Sequence, residues 1–464
     1  MNSSKKFNIK WGRENIQLEV TGDNVAVLRD IIYEKTLVEP DRQKLLFKGK
    51  VLESSNSLSD IPDNSTITLM GTPSGNVYQP TNNVVFVEDL TPQEKAKLLR
   101  EKGEDIVHGL VNLGNTCYLN SVVQVIGGVP EIRDSLKKYS EKASLNNLNT
   151  ALPAALGKTY KELDTASDSI VPKQLVQIVK MINPMFAETD RGAPRQQDAD
   201  ECFQLLLNNI KDSLKNDSNE EKFSSNLIDE LFGVEAEINY ENVEERSDKK
   251  VKKEVLNKLI CYIDNQTTEL IQGLKLSQKE NVELFSDVLG RNSIFQKTQF
   301  INRLPPYLSV QFMRFFWKKG NIETGAKEGK AKILKSVMFS KIIDIYDLCS
   351  DSTKELIKLG REIETKYLKE DKNFRIDKVQ KTENMIPTGR YQLIGVVTHQ
   401  GRSSDSGHYI GWVHKKDDKW TKYDDDSITT LNTQDILELK GGGDWHMAYI
   451  CLFKRLEVPF TNLE

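Results

Sequence analysis

The sequence predicts an α+β protein with two folded units, a small one at the N-terminus and a much larger one after it. The chain has 464 residues, which exceeds the length of a usual single domain. Its first part alternates strand-like runs with one amphipathic helix, whereas the later part sets amphipathic helices against antiparallel strands. Apolar residues make up 38% and charged residues 28%, a balance typical of soluble proteins with sizeable cores.

The first unit is assigned to residues 5–72 and has the order β-β-α-β-β. Alternating apolar residues predict strands over residues 7–9 and 16–20, joined by a turn. Asp23 or Asn24 is a suitable N-cap for a helix over residues 25–32. RQKLLFKGKVL (residues 42–52) and STITLMG (residues 65–71) predict the remaining strands.

This unit resembles ubiquitin, and the resemblance implies a β-grasp fold. LLFKGKVL followed by LSDIPDNSTITL is similar to ubiquitin's own pattern, and Leu46 and Met70 fall where ubiquitin has two members of its apolar recognition patch. After Met70 the chain reads GTPSGNV and lacks the RLRGG tail through which ubiquitin is conjugated. The resemblance therefore implies a fixed module that docks on a receptor, the alternative being a small β-grasp domain with another role.

A linker and a second unit follow. Residues 73–104 are rich in turn formers, and Thr91-Pro92-Gln93-Glu94 is a capping box that predicts a short helix. The second unit is assigned to residues 105–456. Within it we expect a mobile insertion at residues 318–332 and a solvated helical excursion at residues 350–388.

Charge and cysteine usage exclude several classes of protein. The net charge of −4 gives no reason to expect nucleic acid or an anionic membrane as a partner. We find neither a signal-peptide pattern at the N-terminus nor an apolar run of membrane-spanning length. The five cysteines are odd in number, widely spaced and without a CxxC pair, so we expect neither a disulfide framework nor a thiolate zinc site. We also expect no cofactor. A reducing cytosol or nucleus fits this usage.

Cys117 is the candidate nucleophile. It lies in GLVNLGNTCYLNSVVQVI, where Asn115 or Thr116 is a suitable N-cap and the apolar residues that follow recur at helical spacing. A cysteine in the first turn of a helix has its thiolate stabilised by the helix N-terminus. Asn112 lies just upstream, and its amide is suited to donate to a developing oxyanion. The alternative is an inert buried cysteine in a capped core helix.

His408 is the candidate base and Asp424 its orienter. A strand containing Leu393, a polar loop at residues 400–407 and two strands at residues 408–413 and 420–423 predict a hairpin that brings these side chains together. His399, at the other end of the same loop, is the best rival base. The run of three aspartates starting at Asp424 also fits an ordinary acidic surface turn.

Four segments taken together resemble the ubiquitin-specific protease family. GLVNLGNTCYLNS is similar to its cysteine box and SGHYIGWV with KWTKYDDDSIT to its histidine box, and QQDADEC and LPPYLSVQFMRFFW resemble two further family blocks. The resemblance implies a papain-like fold with a fingers extension. It also implies Cys117 as nucleophile, Asn112 in the oxyanion hole, His408 as base and Asp424 as its orienter.

The same resemblance places Gln197 and Asp198 where the family holds the extended tail of ubiquitin. The residues alone favour a structural role for Asp198 as a helix N-cap, because Asp198 and Glu201 have the spacing of a capping box. A capping carboxylate at a cleft edge can keep one oxygen free for an arginine of the tail.

One departure from the family concerns metal. Many members carry two CxxC pairs that hold zinc in the fingers, whereas residues 223–299 contain only Cys261. We therefore expect a fingers extension without zinc, whose strands include VEAEINYENV and TELIQGLKL.

The expected reaction is hydrolysis of the isopeptide bond after the terminal glycine of ubiquitin, with ubiquitin and ubiquitinated proteins as partners. The N-terminal unit, RFFW and GGGDWHMAYI resemble the proteasome-associated branch of the family and imply docking on the regulatory particle of the proteasome. Two alternatives stay open. One is a non-catalytic ubiquitin-binding adaptor or proteasome inhibitor, and the other is a protease for a different ubiquitin-like modifier.

Overall fold

A computed structural model describes residues 4–73, 107–143, 147–190, 192–214, 223–318, 328–382, 384–403 and 406–460. The chain divides into two compact units, Met1–Leu90 and Thr91–Glu464. The predicted linker from residue 74 onward, with its capping box, lies outside the described residues. No helix in the described ranges is long and apolar enough to cross a bilayer.

The first unit is a mixed five-stranded sheet covered on one face by a helix. Its elements are β1 (Ser4–Trp11), β2 (Glu14–Thr21), α1 (Val25–Thr36), β3 (Lys44–Phe47), β4 (Lys50–Val51) and β5 (Ser65–Met70). The strand order is β2-β1-β5-β3-β4, and β1 and β5 are parallel. This confirms the β-grasp prediction, and Asn24 rather than Asp23 caps α1 by accepting a hydrogen bond from the Ala26 amide at 3.0 Å.

The two faces of this sheet differ in exposure. Leu45 and Leu69 point into the core shared with α1 and are buried. Leu46 and Met70, one position along each strand, point to the opposite face because side chains alternate along a strand. Leu46 is half-buried there, and Met70 is 55% exposed.

Helices and strands of the second unit are as follows. The helices are α2 (Cys117–Ile126), α3 (Pro130–Lys142), α4 (Leu148–Thr165), α5 (Lys173–Ile182), α6 (Ala199–Lys211), α7 (Leu227–Phe232), α8 (Leu270–Ser277), α9 (Asp351–Glu370) and α10 (Thr433–Leu437). The strands are β6 (Thr189–Asp190), β7 (Ala193–Pro194), β8 (Val234–Asn242), β9 (Lys249–Leu256), β10 (Leu259–Cys261), β11 (Lys279–Ser286), β12 (Arg291–Ile301), β13 (Tyr307–Phe312), β14 (Phe315–Lys318), β15 (Gly329–Lys332), β16 (Ile342–Asp344), β17 (Met385–Ser403), β18 (Ser406–Lys416), β19 (Lys419–Asp424), β20 (Ser427–Asn432) and β21 (Met447–Pro459).

The central sheet has the order β10-β13-β21-β17-β18-β19-β20, with β16 beside β17. Its middle strands are apolar on both faces, so it separates two cores. Val397 and Tyr409 face the core that contains α2 to α7, whereas Val396 and Ile410 face the core that contains α8. The long apolar runs of β17, β18 and β21 follow from this double burial.

The fingers extension is a separate antiparallel sheet of order β11-β12-β8-β9. VEAEINYENV forms a strand as predicted, but TELIQGLKL forms helix α8, so that strand prediction was wrong. The capping box of Glu269 and Gln272 starts the helix, and Leu270 and Leu274 lie one turn apart on its buried side. The apolar residues of this short segment fit either the strand or the helix period, and the capping box is the signal that decides for a helix.

The two predicted insertions also need correction. Residues 350–388 contain α9, which packs on β17 through Ile357 and Ile363, so the helix is not a fully solvated excursion. Leu356 on the same helix is 41% exposed. Residues 315–318 and 329–332 pair as the β14–β15 hairpin, and the middle of the predicted mobile insertion lies outside the described residues.

Candidate active site

Cys117 is the first residue of α2 and directly follows a tight turn. Gly114 and Asn115 precede it with φ values of 91° and 53°, the left-handed region that glycine and asparagine tolerate best. Thr116 occupies the N-cap position, but its hydroxyl accepts from the Leu113 amide at 2.8 Å and makes no capping bond. The expected side-chain cap is therefore absent, and the first-turn amides of α2 stay directed at Cys117.

Burial, however, dominates the electrostatics of this thiol. Cys117 is 2% exposed, and burial raises the pKa of its thiol to about 11, against the lowering effect of the Tyr409 amide and the first-turn amides. Asp425 raises the pKa further. The expected thiolate is thus not favoured in this conformation, and in the part of the chain that the structure describes the thiol makes no hydrogen bond with His408.

Close packing brings α2 against the strand that carries His408. A Cβ added at Gly411 on β18 would lie 2.8 Å from the carbonyl oxygen of Ser121, so only glycine permits this approach. Tyr409, the residue after His408, is the one whose amide is near the Cys117 sulfur. The predicted nucleophile and base therefore belong to one site.

The predicted hairpin brings His408 to Asp424. His408 Nε2 lies 2.6 Å from Asp424 Oδ1, and Lys422 Nζ lies 2.8 Å from Asp424 Oδ2. Burial raises the pKa of Asp424, but the hydrogen bonds from Lys422 and His408 outweigh it, and the net shift is downward. A carboxylate at Nε2 places the proton of a neutral imidazole on that nitrogen and leaves Nδ1 as the acceptor.

Asn112 is held by the second aspartate of the run. Its Nδ2 donates to Asp425 Oδ2 at 2.9 Å, and its Oδ1 accepts from the Gly114 and Thr116 amides at 2.9 and 3.1 Å. Asp425 Oδ1 in turn accepts from Asn120 Nδ2 at 2.8 Å. Asn112 therefore has a fixed orientation, which an oxyanion donor needs, and one of its two N–H groups is already in use.

Asp198 caps α6, as its residue spacing predicted. Its Oδ1 accepts from the Asp200 and Glu201 amides at 2.7 and 3.2 Å. The hydroxyl of Tyr449 lies 2.9 Å from Oδ1 and 2.8 Å from Oδ2, so the second oxygen, which we expected to be free, already has a partner. Burial raises the pKa of Asp198 to about 6 even though the Tyr449 hydroxyl lowers it.

Gln197 is buried beside Asp198. Its Nε2 donates to the carbonyl of Met185 at 2.7 Å, so that this side chain fixes the wall formed by residues 183–197. The described contacts of Gln197 and Asp198 are thus internal ones. Their predicted role in holding a peptide tail stays a prediction.

The other histidines differ from His408 in their surroundings. His399, the rival base, is fully buried, and burial lowers the pKa of its ring to about 3, so it cannot serve as a general base near neutral pH. His414 Nε2 lies 3.0 Å from the carbonyl of Asp417 at a turn. His446 lies beside the site, with its ring centroid 5.9 Å from that of His408. Its sequence context, a glycine-rich turn, carried no signal for this position.

Among the described residues, one cluster of possible metal ligands lies at this site. It consists of His408, Asp424 and Asp425, whose ligand atoms lie within 4.8 Å of one another, and its first two members are candidate catalytic groups. In the fingers region Cys261 is buried, with its sulfur 3.6 Å from the carbonyl oxygen of Leu270. The zinc-free fingers stay a prediction.

A buried cysteine at a helix start, next to a histidine that a carboxylate orients, defines a cysteine hydrolase built on a papain-like core. Residues 108–453 match the family described as ubiquitin carboxyl-terminal hydrolase, and residues 7–74 match the ubiquitin family. The chain belongs to the ubiquitin carboxyl-terminal hydrolase family and is a cysteine-type deubiquitinase with an N-terminal ubiquitin-like domain.

Relatives match this chain over nearly their whole length. Ubiquitin carboxyl-terminal hydrolase 6 of Arabidopsis thaliana is 33% identical over 96% of this chain and 98% of its own. Ubiquitin carboxyl-terminal hydrolase 14 of Caenorhabditis elegans is 31% identical over 96% of this chain and 92% of its own. Ubiquitin carboxyl-terminal hydrolase 6 of Schizosaccharomyces pombe is 29% identical over 97% of this chain and 98% of its own.

Among solved structures, the SAGA Ubp8/Sgf11/Sus1/Sgf73 DUB module bound to ubiquitin aldehyde is similar in fold. The TM-score is 0.54 at 21% identity, over 76% of this chain and 70% of that one. This similarity supports the fold of the second unit.

Proposed function

We propose that this deubiquitinase cleaves the isopeptide bond after the terminal glycine of ubiquitin with Cys117 as nucleophile, His408 as acid and base, and Asp424 as orienter. The observation that carries the proposal is the 2.6 Å contact of His408 Nε2 with Asp424. The next residue on the same strand, Tyr409, has its backbone amide near the Cys117 sulfur.

In the first half-reaction His408 takes the thiol proton and the sulfur attacks the glycine carbonyl carbon. The C–N bond then breaks, and His408 gives that proton to the leaving lysine amine. In the second half-reaction His408 takes a proton from water, the hydroxide attacks the thioester, and the sulfur leaves with the proton. Asn112, held by Asp425, donates its remaining N–H to the oxyanion in both steps.

Gln197 and Asp198 form the wall along which the ubiquitin tail lies. The support is the half-buried carboxylate of Asp198, whose charge is suited to an arginine of that tail. The Tyr449 hydroxyl that now contacts both oxygens would keep one of them when an arginine takes the other.

The N-terminal domain docks on the regulatory particle of the proteasome, and docking raises the activity. Leu46 and Met70 supply an apolar surface on the sheet face opposite α1, and exposed apolar side chains on a small charged domain are suited to a receptor. Burial raises the pKa of the Cys117 thiol, and the structure describes no hydrogen bond from this thiol to His408. Docking can therefore raise the activity by favouring a conformation in which the two groups meet. We place this action in the cytosol or nucleus, since all five cysteines are free thiols.

The test is reaction with a ubiquitin that carries a C-terminal electrophile, with and without purified proteasome. One covalent ubiquitin on Cys117, formed faster with proteasome, is the expected result. No adduct under either condition would favour the non-catalytic adaptor, and an adduct on another cysteine would overturn the assignment of the nucleophile.

A further inference from the structure

Lys332 and His399 form a buried pair next to the site, and the proposed mechanism uses neither. Lys332 ends β15 and is 8% exposed, and His399 on β17 is 0% exposed. Lys332 Nζ lies 2.7 Å from His399 Nδ1 and 2.7 Å from the His399 carbonyl oxygen. Both hydrogen-bond partners described for this buried amine thus belong to His399. Because a buried amine needs such partners, Lys332 and His399 hold each other in one position.

The pair fixes which nitrogen of His399 carries the proton. Burial lowers the pKa of Lys332 to about 7, and its charged form only donates, so beside that form His399 Nδ1 accepts and the ring proton lies on Nε2. Independently, His399 Nε2 lies 3.2 Å from the carbonyl oxygen of Ser406, which only accepts. Both contacts select the same neutral tautomer, and burial together with Lys332 lowers the pKa of His399 to about 3, which keeps the ring neutral.

The backbone that leads into His408 is shaped around this ring. Ser406 comes two residues before His408 and Gly407 one residue before it. A Cβ on Gly407 would lie 2.8 Å from His399 Nε2 and 2.0 Å from the Gln400 carbonyl oxygen, and the φ of this glycine is 122°. The segment therefore sits as close to the imidazole as glycine permits.

Two aromatic rings hold the imidazole from its other sides. The centroid of the Phe315 ring lies 5.3 Å from that of His399, and the centroid of Tyr409 lies 4.5 Å away. Because Phe315 and Lys332 pair across the β14–β15 hairpin, His399 contacts both that hairpin and the first residues of β18.

We propose that His399, oriented by Lys332, is a positioning residue for His408. Its Nε2–H holds the Ser406 carbonyl, which sets the path of Gly407 and the direction from which His408 meets Asp424 and Cys117. This inference rests on the proposed role of His408 as base. A catalytic base displaced by a fraction of an ångström loses rate in the chemical step rather than affinity for substrate.

The test compares kcat and KM for hydrolysis of a ubiquitin–fluorophore by full-length variants. His399→Phe keeps an aromatic ring but loses both nitrogens, and Lys332→Met keeps the stem but loses the donor. Each should lower kcat about 10- to 100-fold with little change in KM. His399→Gln offers an amide that can donate to Ser406, and it should restore kcat to within about threefold of the native value.

Lys335→Met is the matched control. Lys335 also donates to two backbone carbonyls, those of Asp264 and Asn265 at 3.0 and 2.7 Å, but it does not contact His399, so its loss should leave kcat unchanged. If the His399→Phe protein fails to fold, the Lys332→Met protein tests the proposal instead, because it keeps the His399 ring in place. A native kcat in the decisive variant, or a His399→Gln protein as slow as His399→Phe, would overturn the proposal. Full turnover by His408→Ala would instead refute the role of His408.

A spectroscopic measurement tests the tautomer directly. The sequence has five histidines, so selective ¹⁵N labelling gives few signals to assign. His399 should show the neutral Nε2–H form from about pH 5 to pH 8, and Lys332→Met should shift it toward a mixture of both tautomers. A native ring protonated on Nδ1, or charged in this range, would contradict the proposal.

Discussion

Asn112 donates its side-chain amide to Asp425 at 2.9 Å, across 313 positions of sequence. The contact joins the turn before Cys117 to the turn after Asp424, the two backbone segments that any reaction at this site must keep in register. It also separates the roles of two adjacent acids. Asp424 faces His408, whereas Asp425 faces Asn112 and Asn120.

Cys117→Ala should abolish turnover and leave ubiquitin binding nearly intact, because the change removes one sulfur at a buried position. His408→Ala should be almost as severe, since the two groups act as a unit. Fluorophore release and calorimetric titration with ubiquitin measure the two properties. Cys349→Ala, a buried thiol in the other core, is the control that should retain turnover. Full turnover by the Cys117→Ala protein would refute the assignment.

Asp424→Asn should lower kcat by on the order of 100-fold or more, because an amide cannot hold the imidazole in the same tautomer and charge state. Asp425 cannot substitute for Asp424, since both of its oxygens already accept from asparagines and its φ of 54° fixes it in a turn. Comparison of Asp424→Asn with the double variant Asp424→Asn, Asp425→Asn checks the point.

Asp425→Asn should give a different defect. It places an amide where Asn112 now finds a carboxylate, so Asn112 loses one of the bonds that orient it, and kcat falls by up to about 100- to 1,000-fold, the range for loss of an oxyanion donor. Binding of ubiquitin to this variant should be unchanged. If kcat stays native, Asn112 does not depend on Asp425 and the oxyanion role loses its support.

The sequence predicted those parts of the site that are local in the chain. A cysteine at a helix start and a histidine and aspartate on adjacent strands follow from spacing alone. It did not predict that His446 lies beside His408, or that Asp425 reaches Asn112, because such contacts depend on how distant segments pack. It also misjudged the Cys117 thiol, since the helix N-terminus is visible in the sequence whereas the depth of burial is not.

The KM should depend on pH through Asp198. Burial raises the pKa of Asp198 to about 6, so its carboxylate is charged above that pH and neutral below it. If the charge holds an arginine of the ubiquitin tail, KM should rise as the pH falls through about 6. Asp198→Asn keeps a capping oxygen for α6 and removes the charge, so its KM should be high and independent of pH over this range. A native KM profile in this variant would exclude Asp198 from tail binding.

The fingers should be stable without zinc because a buried polar network holds their outer end. Asp248 is 5% exposed, and its Oδ2 accepts from the Ser286 hydroxyl at 2.5 Å and from Asn242 Nδ2 at 3.5 Å. Asp248→Ala should lower the free energy of unfolding by about 1–3 kcal/mol, the cost of leaving buried polar partners unsatisfied. Thermal unfolding measures this, and elemental analysis of the native protein should give far less than one zinc per chain. A stoichiometric zinc that resists mild chelation would contradict the zinc-free assignment.

Stimulation by the proteasome should depend on the outer face of the N-terminal sheet. Met70→Glu puts a charge at a site that is 55% exposed, so the domain should fold normally while the apolar docking surface is lost. Val27→Glu is the matched control, because Val27 is also partly exposed, at 38%, but lies on α1 and not on the sheet. Hydrolysis of ubiquitin–fluorophore by each full-length protein, with and without purified proteasome, gives the comparison. Both variants should keep the basal rate of the native chain, since neither residue belongs to the catalytic unit, and only Met70→Glu should lose the stimulation. Equal stimulation of both would show that Met70 is not part of the tether, and no stimulation of the native chain would leave the protein a constitutive deubiquitinase.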